Sequence, residues 1–329
     1  MESRATRDAD VAVIGAGSSG LAVLKALREH GVAADCFERG SDVGGLWRYE
    51  NDSGAYASLR TNVSRKRMQY PSFAMPASFD DFPRHTEMAA YLRAYADVFG
   101  LPASIRFGMT VERLELDHRG RWWITLGDGT VRGYGAVVVA IGHFWSPRLP
   151  SYQGSFDGTS SHSHDYRTPG PFAGRRVLVV GAGQSASEIA LEVSAVAKKT
   201  FLSLRGGVHV IPRWIGRRPY DGTDVSPLNR LPWRLLNLIY GARVSRELGP
   251  LPPSWPVPAR RLLEGIPIVS SDLLPAVRRG DIVVKPAVDR LLGDRVRFID
   301  GSAEPLDHVL YATGYRTSLP LLSSSLLTR

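Results

Sequence analysis

Two glycine turns of the same design constrain this chain more than any other feature of its sequence. Gly15-Ala-Gly-Ser-Ser-Gly20 follows directly on the apolar run Asp10–Ile14, and Gly181-Ala-Gly-Gln-Ser-Ala186 follows directly on Arg176–Val180. Apolar residues at helical spacing come next. In the first unit these are Leu21, Leu24 and Leu27, with Gly31 as a left-handed cap; in the second the helical period runs from Glu188 to Val196. A further apolar run closes each unit, Ala33–Phe37 ending at Glu38 and Thr200–Leu204 ending at Arg205. A glycine turn alone is a weak signal. Set between a strand and a helix, it builds a site for a pyrophosphate. Gly15 and Gly181 make the tight turn, Gly17 and Gly183 let the backbone approach the ligand, and Gly20 or Ala186 lets helix and strand pack closely. The helix N-terminus presents free N–H groups and the positive end of its dipole to the phosphates.

The residues that end the strands give the two turns opposite preferences. Glu38 can accept hydrogen bonds from ribose hydroxyls and would repel a 2′-phosphate, so the first turn suits FAD or NAD rather than NADP. Arg205 holds the matching position in the second unit, where a guanidinium can bind a 2′-phosphate in two-pronged fashion, and this points to NADPH. Together with Tyr311-Ala-Thr-Gly-Tyr315 near the C-terminus, the pair suggests a flavoprotein that takes hydride from NADPH. The expected fold class is α/β, with two Rossmann-like dinucleotide-binding domains, one for FAD and one for NADPH, the second inserted into the first. We expect residues 1–145 plus 300–329 to form the FAD-binding domain. Residues 146–299 would form the NADPH-binding domain, with a proline-rich insertion near 215–267.

Composition narrows what such a chain can do. A single cysteine, Cys36, excludes a disulfide framework or a redox-active cysteine pair within one chain, so a dithiol cannot be the electron acceptor. Cys36 lies inside the second strand and reads as a small buried apolar residue. The net charge is +9, and only five of the 41 cationic side chains are lysine. The arginines are spread along the chain without a zinc-finger or RNA-binding context, so anionic cofactors rather than nucleic acid are the expected partners. His143, His162 and His164 lie in a Gly/Pro-rich stretch, and no further cysteine or carboxylate follows at ligand spacing, so no metal site is expected. No apolar run approaches the length of a membrane span, and the first ten residues carry no signal-peptide core. A cytoplasmic protein is therefore expected.

Between and after the two units, residues 41–110 are aromatic-rich and loop-like, with a helix expected from Thr86 to Phe99. Residues 111–134 read as antiparallel strands turning at Gly127-Asp-Gly129, and Ala136–Ile141 as a buried strand. Residues 143–172 read as an interdomain connection organised by Asp165 and Tyr166. Residues 227–267 hold eight prolines around one amphipathic segment, Trp233–Val244. Strand character returns at 281–299, and the last strand is His308–Tyr311.

In the stretch between the two units, Phe156-x-Gly158-x-x-x-His162-x-x-x-Tyr166 resembles the FxGxxxHxxx(Y/F) fingerprint of the flavin-containing monooxygenases. Other segments resemble the same family: Gly44-Gly-Leu-Trp47, Leu59-Arg-Thr-Asn62 with Arg65 and Met68, Phe82-Pro83, the Val269–Val288 stretch and Tyr311-Ala-Thr-Gly-Tyr315. The resemblance runs from about Ala9 to Tyr315. Tyr166, where the sister Baeyer–Villiger group usually has tryptophan, favours the branch that oxygenates nitrogen and sulfur.

The resemblance implies that NADPH reduces FAD and that reduced FAD reacts with O2 to give a C4a-hydroperoxide. Retained NADP⁺ covers that species, and an amine nitrogen or sulfide sulfur of a small molecule attacks its distal oxygen. It implies FAD contacts from Gly15, Gly17, Gly20, Glu38, Leu46, Trp47, Thr61, Asn62, Val111, Thr313 and Gly314. It implies NADPH contacts from Gly181, Gly183, Gln184, Ser185, Ser187 and Arg205. Asn62 is the one catalytic side chain, placed by the resemblance beside the reacting edge of the flavin. No integral membrane segment is expected, and a homodimer is left open. Family members normally continue well beyond the Ala-Thr-Gly segment, whereas fifteen residues follow Gly314 here. The alternative is thus a shortened, uncoupled oxidase-like or inactive flavoprotein serving as a binding subunit. A plain NADPH–quinone oxidoreductase is a further alternative, against which the fingerprint argues.

Overall fold

Short runs of β-branched and other apolar residues fold in this chain as parallel strands. The computed structural model describes residues 9–49, 53–222, 231–322 and 326. The chain divides into two compact units: Met1–Ala55, His85–Ser146 and Arg316–Arg329 form one, and Tyr56–Arg84 and Pro147–Tyr315 the other.

In the first unit, β1 (Val11–Ile14) lies between β2 (Ala34–Glu38) and the strand Ala136–Val139, and β2 pairs in turn with Ile105–Phe107, all parallel. Helix α1 (Ser18–Glu29) connects β1 to β2 and buries Gly20, Leu21 and Leu24. Leu21 is wholly enclosed; burying a leucine to that extent stabilises by about 1.5–3 kcal/mol. Gly31 takes φ +68° just past the helix, as its capping role requires. The strands Val111–Leu116, Trp122–Leu126 and Val131–Tyr134 form an antiparallel sheet whose inner face joins Ala12, Ile14 and Phe37 in one core. The helix His85–Val98 starts and ends one residue before its expected span.

The second unit holds a five-stranded parallel sheet in the order Ile282–Lys285, Lys199–Ser203, Arg176–Val180, His308–Tyr311, Thr159–His162. The helix Gln184–Ser194 follows the second glycine turn and begins a turn earlier than its apolar period suggests, because the polar Gln184 and Ser185 occupy its start. Val288–Leu292, Arg295–Phe298 and Ala303–Pro305 form a separate antiparallel sheet.

Three expectations are corrected. The sequence places the last strand in the first domain together with everything after residue 300. It instead lies at the heart of the second sheet, where His308–Tyr311 pairs with Arg176–Val180 on one side and Thr159–His162 on the other. Val309 and Leu310 are too apolar for an exposed return path, and the chain rejoins the first unit only at Arg316. Residues 56–84 were likewise placed in the first domain and belong to the second unit. The stretch 143–172 is more than a connection, since Thr159–His162 is an edge strand; its serines, threonine and histidine hide the signal because one face of an edge strand tolerates polar side chains. In the proline-rich insertion, residues 223–230 lie outside the described residues, and the amphipathic segment forms a helix, Trp233–Leu248, longer than expected. No helix among the described residues is long and apolar enough to cross a membrane.

Candidate functional site

The first glycine turn is built by close backbone approach. Gly15 sits at φ +99°, and a Cβ there would lie 2.6 Å from the Ala140 carbonyl oxygen; a Cβ on Gly20 would lie 1.9 Å from that of Gly15. These two glycines are demanded by the fold itself. Gly17 differs: a Cβ there would meet only the Gly45 Cα, at 3.7 Å. Nothing in the protein requires glycine at that position, which leaves a ligand's approach as the reason for it. Gly44 donates its N–H to the Ala16 carbonyl at 3.0 Å, bringing the turn-like Gly45–Trp47 segment, with half-buried Leu46 and Trp47, against the same turn. Glu38 ends β2; one carboxylate oxygen accepts the Ala16 N–H and the other the Gly40 N–H, both at 2.7 Å. Each oxygen keeps a lone pair for a hydroxyl donor. The Val111 side chain, expected at the flavin, is instead packed in the core, so only its main chain can serve a ligand. Cys36 is buried beneath the Gly15 carbonyl, and burial pushes its thiol up to about 12, which makes it inert.

The second turn follows the same plan with more room. Gly181 is held against Ala312, whose carbonyl oxygen would lie 2.3 Å from an added Cβ, while a Cβ on Gly183 would meet nothing within 4 Å. Neither α1 nor the helix Gln184–Ser194 has a side-chain cap at its N-terminus. Uncapped ends with open glycines fit a pyrophosphate at each turn. Ser185 is half-buried at the start of its helix. Arg205 lies two residues beyond the strand, exposed, and holds no hydrogen bond or ion pair with any described residue. A free guanidinium at this strand end fits a 2′-phosphate.

Two of the expected NADPH contacts are corrected. Ser187 is fully buried on the inner face of its helix, with Oγ unpartnered, and has no surface to offer a cofactor. The Gln184 side chain is committed to the protein: its amide donates to Glu188 and to the Val269 carbonyl and accepts the Val269 N–H, at 2.8–2.9 Å. Only the Gln184 main chain is left for a cofactor.

The fingerprint residues tie this unit together. His162 accepts the His164 N–H on Nδ1, so its proton sits on Nε2, which donates to the Gly314 carbonyl at 3.0 Å. Burial lowers its pKa, in keeping with a neutral ring. The Gly314 carbonyl also accepts the Arg148 N–H, and Thr313 Oγ1 donates to the Arg148 carbonyl. Gly158 is required because a Cβ would strike the Phe156 ring and the Asp307 carbonyl. Tyr166 was read as organising a linker; its hydroxyl instead donates to Glu192, 2.6 Å away on the helix after the second glycine turn.

Thr61 and Asn62 lie in the second unit. Thr61 Oγ1, Asn62 Oδ1, Ser64 Oγ and the nearby Asp221 Oδ1 are buried without a hydrogen-bond partner. The backbone around them is held at four points. The Thr61 N–H donates to Pro83, the Thr61 carbonyl accepts from Arg213 at 3.2 Å, the Asn62 carbonyl accepts from Tyr220 at 3.1 Å, and the Ser64 N–H donates to Asp221 at 2.7 Å. A fixed backbone with unsatisfied side-chain atoms is the arrangement expected where a ligand supplies the missing partners. Sequence reasoning missed Arg213, Tyr220, Asp221 and Glu188. Only Glu188 carried a signal, as an acid among Ala186, Ile189 and Ala190 on a helix with an apolar face.

Fold and site together define an α/β protein with two glycine turns of dinucleotide-binding design, one with Glu38 at its strand end and the other with Arg205 just beyond it. The chain belongs to the flavin-binding monooxygenase-like family, whose family model matches residues 8–329. It is 33% identical over 344 residues to flavin-containing monooxygenase 3 of Rattus norvegicus, covering 96% of this chain and 64% of that protein. Among solved structures it is similar to a flavin-containing monooxygenase from Stenotrophomonas maltophilia, with TM-score 0.73, 27% identity and coverage of 96% and 81% of the two chains. It is also similar to S-allyl-L-cysteine S-oxygenase from Allium sativum, with TM-score 0.70, 25% identity and coverage of 96% and 64%. The chain thus spans just under two thirds of the length of the rat relative.

Proposed function

We propose that this chain is an FAD- and NADPH-dependent monooxygenase that adds one oxygen atom of O2 to a soft nucleophile, an amine nitrogen or a sulfide sulfur, of a small molecule. The observation that carries this reading is the pair of uncapped glycine turns with Glu38 at one strand end and an unengaged Arg205 at the other. FAD would be held by the turn Gly15–Gly20, the carboxylate of Glu38, the Leu46–Trp47 segment and the main chain of Val111. NADPH would be held by Gly181, Gly183, the main-chain amides of Gln184 and Ser185, and the guanidinium of Arg205. When bound, the flavin supplies the two-electron activation of oxygen, which no side chain here could provide.

The chain's own residues orient and enclose the reactants. Arg205 selects the phosphorylated dinucleotide by charge. Thr61 and Asn62 present unpartnered polar atoms from a backbone already fixed, so little reorganisation accompanies ligand binding. We assign the Asn62 carboxamide to the reaction, where it can both donate and accept. Thr313 and Gly314 act through their anchorage to Arg148 and His162. The S-oxygenase activity named for the Allium sativum protein, on S-allyl-L-cysteine, supports a sulfide among the substrates.

The test is direct. The purified chain should be yellow with one FAD. It should oxidise NADPH in preference to NADH and, with a tertiary amine or a thioether, give a product one oxygen heavier. A chain that binds no flavin, or that oxidises NADPH without oxygenating either class, counts against the proposal.

A further inference from the structure

Arg213 is drawn on from three directions. Its guanidinium donates to the Thr61 carbonyl at 3.2 Å and to Glu188 Oε1 at 2.7 Å, and it lies over the Phe82 ring, 5.4 Å from the centroid. The ring is itself held in place, stacked on Tyr220 and meeting Trp214 edge-on. Tyr220 donates to the Asn62 carbonyl and Asp221 accepts the Ser64 N–H. A short hairpin, in which Trp214–Ile215 pairs with Arg218–Pro219, therefore supplies the side chains that fix the backbone from Thr61 to Ser64. Glu188 links this clamp to the second glycine turn. It stands four residues along the helix from Gln184 and accepts from the Gln184 amide and from the Tyr56 hydroxyl. Arg213 and Glu188 are both largely enclosed, with side-chain exposures of 21% and 12%. A charge pair at that depth is a poor choice for stability alone, since apolar residues of similar volume would do as well. What apolar residues could not do is bond the Thr61 carbonyl.

We propose that Arg213 is a positioning residue for Asn62: paired with Glu188, it fixes the orientation of Asn62 relative to the helix that opens at the second glycine turn. This rests on the assignment of Asn62 to the reaction. Arg213 itself touches no reacting atom. It acts through the Thr61 carbonyl, and loss of its fork loosens the backbone that carries Asn62. Electrons that reach oxygen then leave as hydrogen peroxide, O2 taking two electrons and two protons, in place of oxygenated product.

The test compares Arg213→Lys with the double variant Arg213→Gln, Glu188→Gln, because removing Arg213 alone would strand a buried carboxylate. Lysine keeps the charge beside Glu188 and cannot span both acceptors. Three readouts are taken: the ratio of hydrogen peroxide to oxygenated product per NADPH, NADP⁺ affinity by calorimetry, and amide exchange at Thr61, Asn62 and Ser64. We expect the peroxide share to rise several-fold in both variants and NADP⁺ affinity to stay within about twofold. Exchange across Thr61–Ser64 should quicken by about tenfold or more, as loss of a charge-assisted hydrogen bond implies. Unchanged exchange there, or an unchanged peroxide share with weaker NADP⁺ binding, would overturn the inference and leave the pair as a fold element. If the wild type itself makes no product, the monooxygenase reading fails, and exchange at Thr61–Ser64 still decides whether Arg213 holds that segment.

Discussion

Gly17 and Gly183 separate what the fold needs from what a ligand needs. Gly17 sits at φ −76°, ψ −172° and Gly183 at φ −104°, ψ −178°, extended conformations that any residue adopts without strain. The space at Gly183 is open and that at Gly17 nearly so. Valine at either position should therefore change stability by no more than about 1 kcal/mol, the lost helix-cap preference being offset by a less disordered unfolded chain. That corresponds to a shift of about 1–2 °C in Tm for a chain of this size. Against a dinucleotide the same side chain stands where the pyrophosphate must reach the helix N-terminus. Losing one or two charge-assisted contacts, at about 1.5–3 kcal/mol each, costs about 10²-fold in affinity or more. Gly17→Val should lose flavin and keep NADP⁺ binding, and Gly183→Val the converse. Gly20→Ala is the contrasting control, since its Cβ would sit 1.9 Å from a backbone oxygen and the unit itself should fail to fold. Flavin absorbance per chain, NADP⁺ calorimetry and thermal melting followed by circular dichroism read all three. A Gly183→Val protein that melts normally and binds NADP⁺ as the wild type does would refute the assignment of the second turn.

Arg205→Ala should raise the KM for NADPH by about 10- to 150-fold and leave that for NADH nearly unchanged, since only the 2′-phosphate contact is lost; equal changes would remove Arg205 from the site. Asn62→Ala should keep flavin and its reduction by NADPH while oxygenated product falls about 10²-fold and hydrogen peroxide rises; undiminished product would make Asn62 an ordinary loop residue. His308 gives a pH dependence. Its ring is buried between Thr159 Oγ1 and Ser161 Oγ, and desolvation lowers its pKa from 6.5 to about 4. The unfolded chain takes up this proton first, so the stabilisation is complete above pH 6.5 and drains away as the pH falls towards 4, by about 3 kcal/mol at most. The Tm of His308→Gln should fall less over that window than the wild-type Tm, and parallel curves would show that His308 does not titrate there.

The two βαβ units were legible because each link of the pattern is local: an apolar run, a glycine turn, a helical period and a charged strand end within some 25 residues. Their strands fall within a residue or two of the expected positions. What could not be read was pairing between distant segments. Thr159–His162 carries no strand signature of its own and becomes a strand only because His308–Tyr311 offers it an edge. The same blindness put His308–Tyr311 in the wrong domain, since an apolar strand does not declare which sheet will take it. For the site, the glycines and strand-end charges were visible because their chemistry is fixed by position in a motif. The side chains of Gln184 and Ser187 are not free for a ligand, because motif position says nothing of which way a helical side chain faces; one bonds the strand at Val269 and the other is buried. Arg213, Tyr220 and Asp221 sit in a hairpin of ordinary composition, and only folding brings them to the backbone of Thr61–Ser64.

The most direct measurement is the fate of isotopically labelled oxygen. Under ¹⁸O2, with NADPH and a thioether or tertiary amine, the product should carry one labelled oxygen for each NADPH consumed, the other atom leaving as water. NADPH consumption with all of the label in hydrogen peroxide, or with product oxygen drawn from unlabelled water, would contradict a monooxygenase.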